Sequence, residues 1–321
     1  MDQKNLIGSS GAFLDVIRQA DKIAASSARV LVSGETGTGK EKIAVYLHKK
    51  SHRPEKPFIA INCSALPAAL LESELFGHVK GAFTGSNRTH EGLIASASGG
   101  TLFLDEIADL ELPLQAKLLR FLETGEFRKV GSTALERADV RVIAATHQTL
   151  KHLVTRGLFR EDLYYRLSVL TLEMPPLRAR KEDIPLLAQH FLETFAAAER
   201  KSFRAMEPEA LARLAAYPWP GNIRELQNAL HKAVVLNDGA ILTAGMLEAT
   251  LPAPAAEACR NVIPLQSDSA PPKPLWQTEK EAIDTALRYC SGNIPRAAAL
   301  LQVSPSTLYR RRDNLPDISK P

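Results

Sequence analysis

Two short stretches of this 321-residue chain carry residue types that do chemistry together. Gly34-Glu35-Thr36-Gly37-Thr38-Gly39-Lys40 follows the apolar run Val30-Leu31-Val32 and precedes a helix-like segment from Glu41 to Lys50. A buried strand feeding a glycine-rich turn feeding a helix aims backbone N–H groups and a helix N-terminus at one point, where an anion gains from both. Lys40 adds a point charge for the outer phosphates of a nucleoside triphosphate. The residue after the lysine is Glu41 rather than the usual Ser or Thr, so Mg²⁺ has to be held from elsewhere. Thr101-Leu102-Phe103-Leu104 then delivers two adjacent carboxylates, Asp105 and Glu106. In an open α/β sheet the C-terminal strand edge is where ligands sit. Asp105 is placed to organise Mg²⁺, directly or through water, and Glu106 to orient or deprotonate an attacking water.

Further candidates follow along the chain. Val140 to Ala145 reads as a buried strand ending in Thr146-His147, with His147 either a core histidine or a polar sensor at the edge that carries Asp105. Arg160 and Arg166 lie six positions apart, and are either surface ion-pairing groups or fingers that reach a neighbouring subunit's γ-phosphate. Near the C-terminus, Ser304 is a good N-cap with Pro305 at the first helical position, and the helix it starts ends in Tyr309-Arg310-Arg311-Arg312. Preceded by a helix from Ile294 to Leu301 and a tight turn at Gln302-Val303, it makes a helix-turn-helix. From Arg288 to Arg312 there are five arginines and no acidic residue, a charge distribution that faces DNA.

The elements that must position these groups are legible in the pattern. Leu6-Ile7-Gly8 opens the chain, and a segment with apolar positions Phe13, Leu14, Ile17, Ala20 and Ile23, close to helical spacing, is expected to pack beside the nucleotide. Phe58-Ile59-Ala60-Ile61, ending in Asn62-Cys63, is a second parallel strand, and Leu112 to Thr124 an amphipathic helix. Strands alternating with helices give a parallel sheet with right-handed crossovers. Between Ala68–Leu75, read as helical, and the next strand lies Phe76 to Ser86, three glycines around two aromatics expected to be exposed, which reads as a protruding loop. Ile184–Phe195, Pro208–Ala216 and Ile223–Leu236 read as helices of a second subdomain, and the Pro/Ala-rich stretch after Leu251 as a linker.

Bulk properties bound the class. The formal net charge of +4 is too small to imply nucleic-acid binding by the chain as a whole, no apolar run approaches a bilayer span, and the start Met1-Asp2-Gln3-Lys4 has no signal-peptide profile. The expectation is a cytoplasmic protein with no membrane partner. Cys63, Cys259 and Cys290 are odd in number and far apart, which argues against a disulfide framework or a metal knuckle.

With these residues in view, the chain resembles the sigma-54-dependent transcriptional activators, bacterial enhancer-binding proteins of the AAA+ class. The least ambiguous marker is Glu74-Leu75-Phe76-Gly77-His78 followed by Gly81-Ala82-Phe83-Thr84-Gly85-Ser86. It looks like the sigma-contacting loop that defines the family, with Ser86 where the family has alanine. The resemblance implies a Walker A loop over Gly34, Glu35, Thr36, Gly37, Thr38, Gly39, Lys40 and Glu41, and nucleotide contacts from Ile7, Gly8 and a sensor II arginine, Arg224. It further implies a Walker B pair Asp105-Glu106, with Asn62 coupling that glutamate to the sigma loop. Thr146-His147 falls at sensor I, where many relatives carry Asn, and Arg160 and Arg166 fall in the arginine-finger segment.

The C-terminal helices are similar to a Fis-type helix-turn-helix. Arg296, Ser304, Ser306, Thr307, Tyr309, Arg310, Arg311 and Arg312 are its DNA-facing positions, and Gln302 stands where relatives often have a turn glycine. The implied fold is an α/β AAA+ P-loop parallel sheet with a helical lid, plus a small all-α helix-turn-helix domain. The expected boundaries are 1–175 for the α/β subdomain, 176–250 for the lid, 251–274 for the linker and 275–321 for the DNA-binding domain. The implied cofactors are ATP and Mg²⁺. The implied partners are sigma-54 RNA polymerase holoenzyme, enhancer DNA and further copies of the chain, from dimer to hexameric ring. Many relatives carry a receiver or sensor domain ahead of Leu6, so the chain is expected to be a truncated form or to be controlled in trans. The alternatives weighed beside this reading are a helicase or branch-migration motor tethered to DNA by its C-terminal domain, and a non-enzymatic repressor with a vestigial nucleotide fold.

Overall fold

The computed structural model describes residues 6–83, 86–248, 250 and 275–314. By packing, the chain divides into two units, Met1–Pro254 and Ala255–Pro321.

In the first unit, helix α1 (Gly11–Ala24) leads into strand β1 (Val30–Ser33), the phosphate loop and helix α2 (Lys40–Lys49). Strand β2 (Phe58–Asn62), helices α3 (Ala68–Phe76) and α4 (Leu93–Ser96), strand β3 (Thr101–Asp105) and helix α5 (Leu112–Thr124) follow. A small hairpin of β4 (Glu126–Phe127) and β5 (Glu136–Arg137) precedes β6 (Arg141–Thr146), α6 (Leu150–Thr155), α7 (Glu161–Leu167) and β7 (Leu170–Glu173). The main sheet is five-stranded and parallel, in the order β2-β3-β6-β1-β7. Its register aligns Asn62 with Asp105 and Ser33 with Thr146, so the C-terminal ends of these strands form one edge.

Strand alternation explains the layering. On β1, β3 and β6, Leu31, Leu102, Leu104, Val142 and Ala144 enter one core with α3, α5 and α7 residues, while Val30, Val32, Phe103, Ile143 and Ala145 enter the other with α1 and α2. Both faces are covered, which is why these strands read as unbroken apolar runs. The edge strand β7 was not foreseen. It alternates, with Thr171 and Glu173 exposed and Leu172 buried, and so lacks the apolar run that flags the others.

Helices α8 (Ile184–Ala198), α9 (Pro208–Ala216), α10 (Asn222–Leu236) and α11 (Ala244–Glu248), with a minor pair of strands β8 (Ala205–Met206) and β9 (Ile241–Leu242), build the lid. It has its own core around the fully buried Trp219, whose indole N–H donates to Leu214 O at 2.7 Å. Two short 3-10 turns, Leu177–Ala179 and Lys181–Asp183, connect β7 to it. Among the described residues no helix is long and apolar enough to cross a membrane.

The second unit contains α12 (Leu275–Tyr289), α13 (Ile294–Leu300) and α14 (Pro305–Asn314) around Ile283, Ala286, Cys290, Ala297, Ala298 and Leu308. The expected linker from 251 to 274 and Cys259 lie outside the described residues. Helix α14 continues two residues past Arg312.

Candidate functional site

The strand edge becomes a site because β1 ends where the glycine-rich turn begins. Gly39 caps α2 at φ 101°, a conformation open to glycine and costly for other residues, and so turns the first amides of α2 toward one point. The Lys40 ammonium, 6 % exposed, donates to the carbonyls of Gly34 (3.0 Å) and Glu35 (3.3 Å), and lies 3.5 Å from Glu106 Oε1. The other Glu106 oxygen accepts from the His147 backbone N–H (3.2 Å) and contacts His147 Nδ1 at 2.7 Å. Glu106 sits at φ 52°, ψ 51°, a left-handed conformation unusual for glutamate that directs it off the end of β3. Burial works to raise its pKa; the hydrogen bond from His147 and the charge of Lys40 outweigh that and leave the carboxyl below its usual range. Asp105 is raised, first by burial and then by the adjacent Glu106, with Lys40 opposing. The two neighbouring carboxylates are thus pushed apart in character, as at acid/base sites.

Among the described residues no three His, Cys, Asp or Glu side chains gather as a metal cage. Mg²⁺ commonly takes one or two carboxylates and completes its shell with phosphate oxygens and water. A single carboxylate at Asp105 beside a phosphate loop, with Glu41 exposed on the cavity wall, is a donor set that fits it.

The lid grips the phosphate loop by its acceptors. Arg178 makes a two-pronged ion pair with Glu35 (2.7 and 2.5 Å), and Asn222 Nδ2 donates to Glu35 Oε2 (3.1 Å) and Thr36 O (3.0 Å). The Ile223 N–H donates to Gly37 O (3.0 Å) and Arg180 Nη2 to Thr38 O (3.0 Å). Asn222 is fully buried at φ 54°, with its side-chain Oδ1 accepting from the Leu177 N–H at 2.7 Å. Contact is so close that a Cβ on Gly37 would stand 2.3 Å from Gly221 O. The Arg178 hydrogen bonds, and after them the one from Asn222, lower the Glu35 carboxyl to about 2.

Together these parts enclose a cavity of about 370 Å³, lined by Thr36 to Lys42, Asn62, Asp105, Glu106, Ile7, Arg180 and Arg224, with Leu187, Phe191 and Phe195 supplying an apolar wall. Gly8 belongs to the same corner without lining it, since a Cβ there would meet Phe13 at 2.4 Å and Asp183 at 2.8 Å. Asn62 lines the cavity, but its side-chain oxygen accepts from the Ser64 N–H (2.9 Å) and hydroxyl (2.7 Å), and the residue bonded to Glu106 is His147. Thr146 is buried and its hydroxyl receives the Gln148 N–H. Arg160 and Arg166 lie away from the cavity, on α7 and its N-cap. Arg160 is paired with Asp162, and exposed Arg166 has no hydrogen bond or ion pair within the described residues.

The loop after α3 departs from expectation in one aromatic. Phe76 is buried in the sheet core at 3 % exposure, and Phe83 alone is presented, at 45 %. Its base is tied by Val79 N to Val130 O (3.1 Å) and Val130 N to Gly77 O (2.8 Å), and Phe83 packs edge-on against His78. Gly81 and Ala82 fall on this tied segment, and the Ser86 hydroxyl, on a buried residue, bonds both Phe83 O (2.7 Å) and Phe83 N (3.1 Å). Thr84 and Gly85 lie outside the described residues.

In the second unit Asn293 caps α13 and Ser304 Oγ accepts from Thr307 N (3.2 Å) and contacts the Ser306 and Thr307 hydroxyls. Arg296, Ser304, Ser306, Tyr309 and Arg310 are exposed and Thr307 half-buried; the side chains of Arg311 and Arg312 lie outside the described residues. Gln302 takes φ 55° in the turn.

Known proteins match most of the chain. The Sigma-54 interaction domain profile matches residues 6–173, the AAA+ ATPase lid domain 178–261, and the bacterial regulatory protein Fis family 274–315. Regulatory protein LuxO of Vibrio cholerae serotype O1 is 48 % identical over 320 residues, which cover 97 % of this chain and 70 % of that protein. Transcriptional regulatory protein ZraR of Escherichia coli K12 is 47 % identical over 309 residues, 96 % of this chain and 68 % of that one. The crystal structure of NtrX from Brucella abortus in complex with ADP superposes with a TM-score of 0.70 at 33 % identity, covering 98 % of this chain and 70 % of the other. With an AAA+ parallel sheet, a helical lid and a Fis-type helix-turn-helix in that order, the chain belongs to the family of sigma-54 activators.

Proposed function

We propose that this chain is an ATP-hydrolysing activator that binds enhancer DNA, assembles into a ring, up to a hexamer, and remodels the sigma-54 RNA polymerase closed complex into the open one. The observation that carries the reading is the Lys40–Glu106 pair at one wall of the cavity between sheet edge and lid, with His147 bonded to Glu106, in a chain that also presents Phe83 from a separately anchored loop. Lys40 and the amides of the glycine-rich loop take the outer phosphates, and His147 fixes Glu106 to orient the attacking water. Asp105 would hold Mg²⁺, which when bound neutralises charge developing on the phosphates. Arg224 reaches the nucleotide from α10, and Arg160 or Arg166 completes the site of the next protomer. Asn62, at the end of β2 beside Asp105, relays the state of Glu106 toward the Phe83 loop. The loop from Gly81 to Ser86, Thr84 and Gly85 included, grips the sigma factor.

The DNA-facing residues Arg296, Ser304, Ser306, Thr307, Tyr309, Arg310, Arg311 and Arg312 hold the ring near the promoter and raise its local concentration. The place of action is the cytoplasm, under a regulator in trans or a sensor domain. The test is open-complex formation on a sigma-54 promoter with purified polymerase: ATP should support it, a non-hydrolysable analogue should not, and activation equal with both would sink the proposal.

A further inference from the structure

Arg180 is a fully desolvated cation, 2 % exposed, at the junction of phosphate loop and lid. Burying a guanidinium is expensive unless a carboxylate or several acceptors compensate it. Here Nη2 donates to Thr38 O at 3.0 Å, the guanidinium lies over the Phe13 ring at 5.1 Å, and the buried Nε–H has no hydrogen-bond partner among the described residues. The nearby buried anion, Asp183, makes no ion pair with it; its oxygens accept from Ser9 N (2.6 Å), Ser10 N (2.8 Å) and Ser10 Oγ (2.7 Å). Burial lowers the pKa of Arg180 and Asp183 opposes, yet a guanidinium stays protonated in proteins, so the charge persists. The same side chain lines the cavity that holds Lys40 and Thr36 to Lys42.

Its place on the loop is as informative as its charge. The carbonyls of Thr36, Gly37 and Thr38 all go to lid donors, namely Asn222 Nδ2, Ile223 N and Arg180 Nη2. In a trans peptide the N–H points opposite to the C=O of the same unit, so fixing the Gly37-to-lid and Thr38-to-Arg180 carbonyls turns the following amides, Thr38 and Gly39, to the other side. Thr38 N is turned back to Glu35 O at 3.4 Å, which leaves the Gly39 N–H, set by Arg180, for a ligand.

We propose that Arg180 is a positioning residue for the nucleotide polyphosphate, holding the loop through Thr38 O and keeping a buried positive charge that the bound phosphates neutralise. This rests on the nucleotide-binding reading above. The charge is a cost to the free protein and a gain to the complex, so the two states should respond oppositely to its removal.

The experiment compares wild type with Arg180→Met, close in length and uncharged, and Arg180→Lys. Thermal melting without nucleotide is measured alongside competition of ATP, ADP and adenosine against a fluorescent ADP analogue. For Arg180→Met the expected result is a melting temperature equal to or above wild type, ATP and ADP binding weakened by about 10- to 100-fold, the range for one charge-assisted interaction in a dry site, and adenosine competition unchanged. Arg180→Lys should recover part of the ATP affinity. Equal weakening of ATP and adenosine, or unchanged ATP affinity with a lowered melting temperature, would make Arg180 a packing residue and overturn the proposal. Should Arg180→Met fail to fold, Arg180→Gln is read the same way, and failure of both shows that the free fold needs the charge, which also overturns it. A wild-type protein that bound no ATP would instead overturn the parent reading.

Discussion

Glu106 is held by His147: the imidazole Nδ1 stands 2.7 Å from one carboxylate oxygen while the Lys40 ammonium stands 3.5 Å from the other. One carboxylate thus bridges the group that meets the phosphates and the group at the end of β6. Binding and water orientation can be separated by mutation. Glu106→Ala should keep ATP affinity within a few-fold and lose turnover by about 100-fold or more, the usual worth of a positioned general base. Lys40→Ala should lose binding itself. His147→Ala should lower kcat with little change in ATP affinity, since the Glu106 side chain remains but is no longer oriented. Nucleotide titration beside phosphate-release rates checks all three, and equal loss of affinity in Lys40→Ala and Glu106→Ala would overturn the division of roles.

The in-trans reading of the arginines has its own consequence. Arg166 is exposed on α7 and away from the cavity of its own chain, so a site completed by it exists only in the assembly. Specific ATPase activity should rise with protein concentration. Mixing inactive Arg166→Ala with inactive Glu106→Ala chains should restore turnover, because some interfaces then pair an intact Arg166 with an intact Glu106. Activity flat across the association range, with no rescue on mixing, would remove the shared site.

Much of this site is legible in the sequence. The phosphate loop, the Asp105-Glu106 edge and the three central strands β1, β3 and β6 announce themselves because a strand covered on both faces must be apolar throughout. What was not readable depends on pairings between distant segments. Nothing local marks Arg178 as the partner of Glu35, 143 positions away, or buried Arg180 as the donor to Thr38. That His147 bonds Glu106 while Asn62 bonds Ser64 is equally invisible, since Asn62 ends β2 and His147 follows the end of β6, and only side-chain direction decides which reaches the carboxylate. Phe76 reads as exposed because the glycine after it suggests a loop, whereas it closes α3 and is buried in the core. One local signal does point to Arg178 and Arg180: Pro175-Pro176 followed by arginines at alternate positions marks a rigid turn that carries two cations.

The Phe83 loop and the motor should come apart. The loop is anchored at residues 77–79 and 130, and none of its described residues lines the nucleotide cavity. Thr84→Ala and Phe83→Ala are therefore expected to leave ATPase activity and DNA binding within about twofold of wild type, the scatter ordinary for surface changes, while abolishing open-complex formation. Loss of hydrolysis in either variant would put the loop inside the catalytic machinery.

The Glu35–Arg178 pair gives a pH dependence whose sign can be worked out. Glu35 is lowered in the folded protein to about 2 from an ordinary 4.5, so the folded state binds fewer protons there than the unfolded one. Its contribution is complete above about pH 4.5 and is lost as pH falls toward 2. The difference in melting temperature between wild type and Glu35→Gln should be flat from neutral pH down to about 5 and shrink below that. A gap that changed between pH 6 and 8 would mean another group controls the contact.

In the C-terminal unit the prediction concerns Gln302, which turns the chain between α13 and α14 at φ 55°. A side chain in this left-handed conformation costs about 1–2 kcal/mol relative to glycine, and glycine gives back part of that in unfolded-chain entropy. Gln302 is exposed, so its replacement removes no packing, and the turn's bonds, Gln302 N to Ala299 O (3.2 Å) and Val303 N to Ala298 O (3.0 Å), are made by the backbone. Gln302→Gly should therefore stabilise the helix-turn-helix by roughly 0.5–1 kcal/mol. In the full chain this reads out as slower amide hydrogen exchange in α12 and α13, by about two- to fivefold, with exchange in α1 to α11 unchanged. Enhancer affinity at fixed salt should hold or improve slightly, since Arg296 and Arg310 stay in place. Faster exchange in the variant would show that the Gln302 side chain supports the turn, and that the left-handed backbone is compensated by contacts a glycine cannot make.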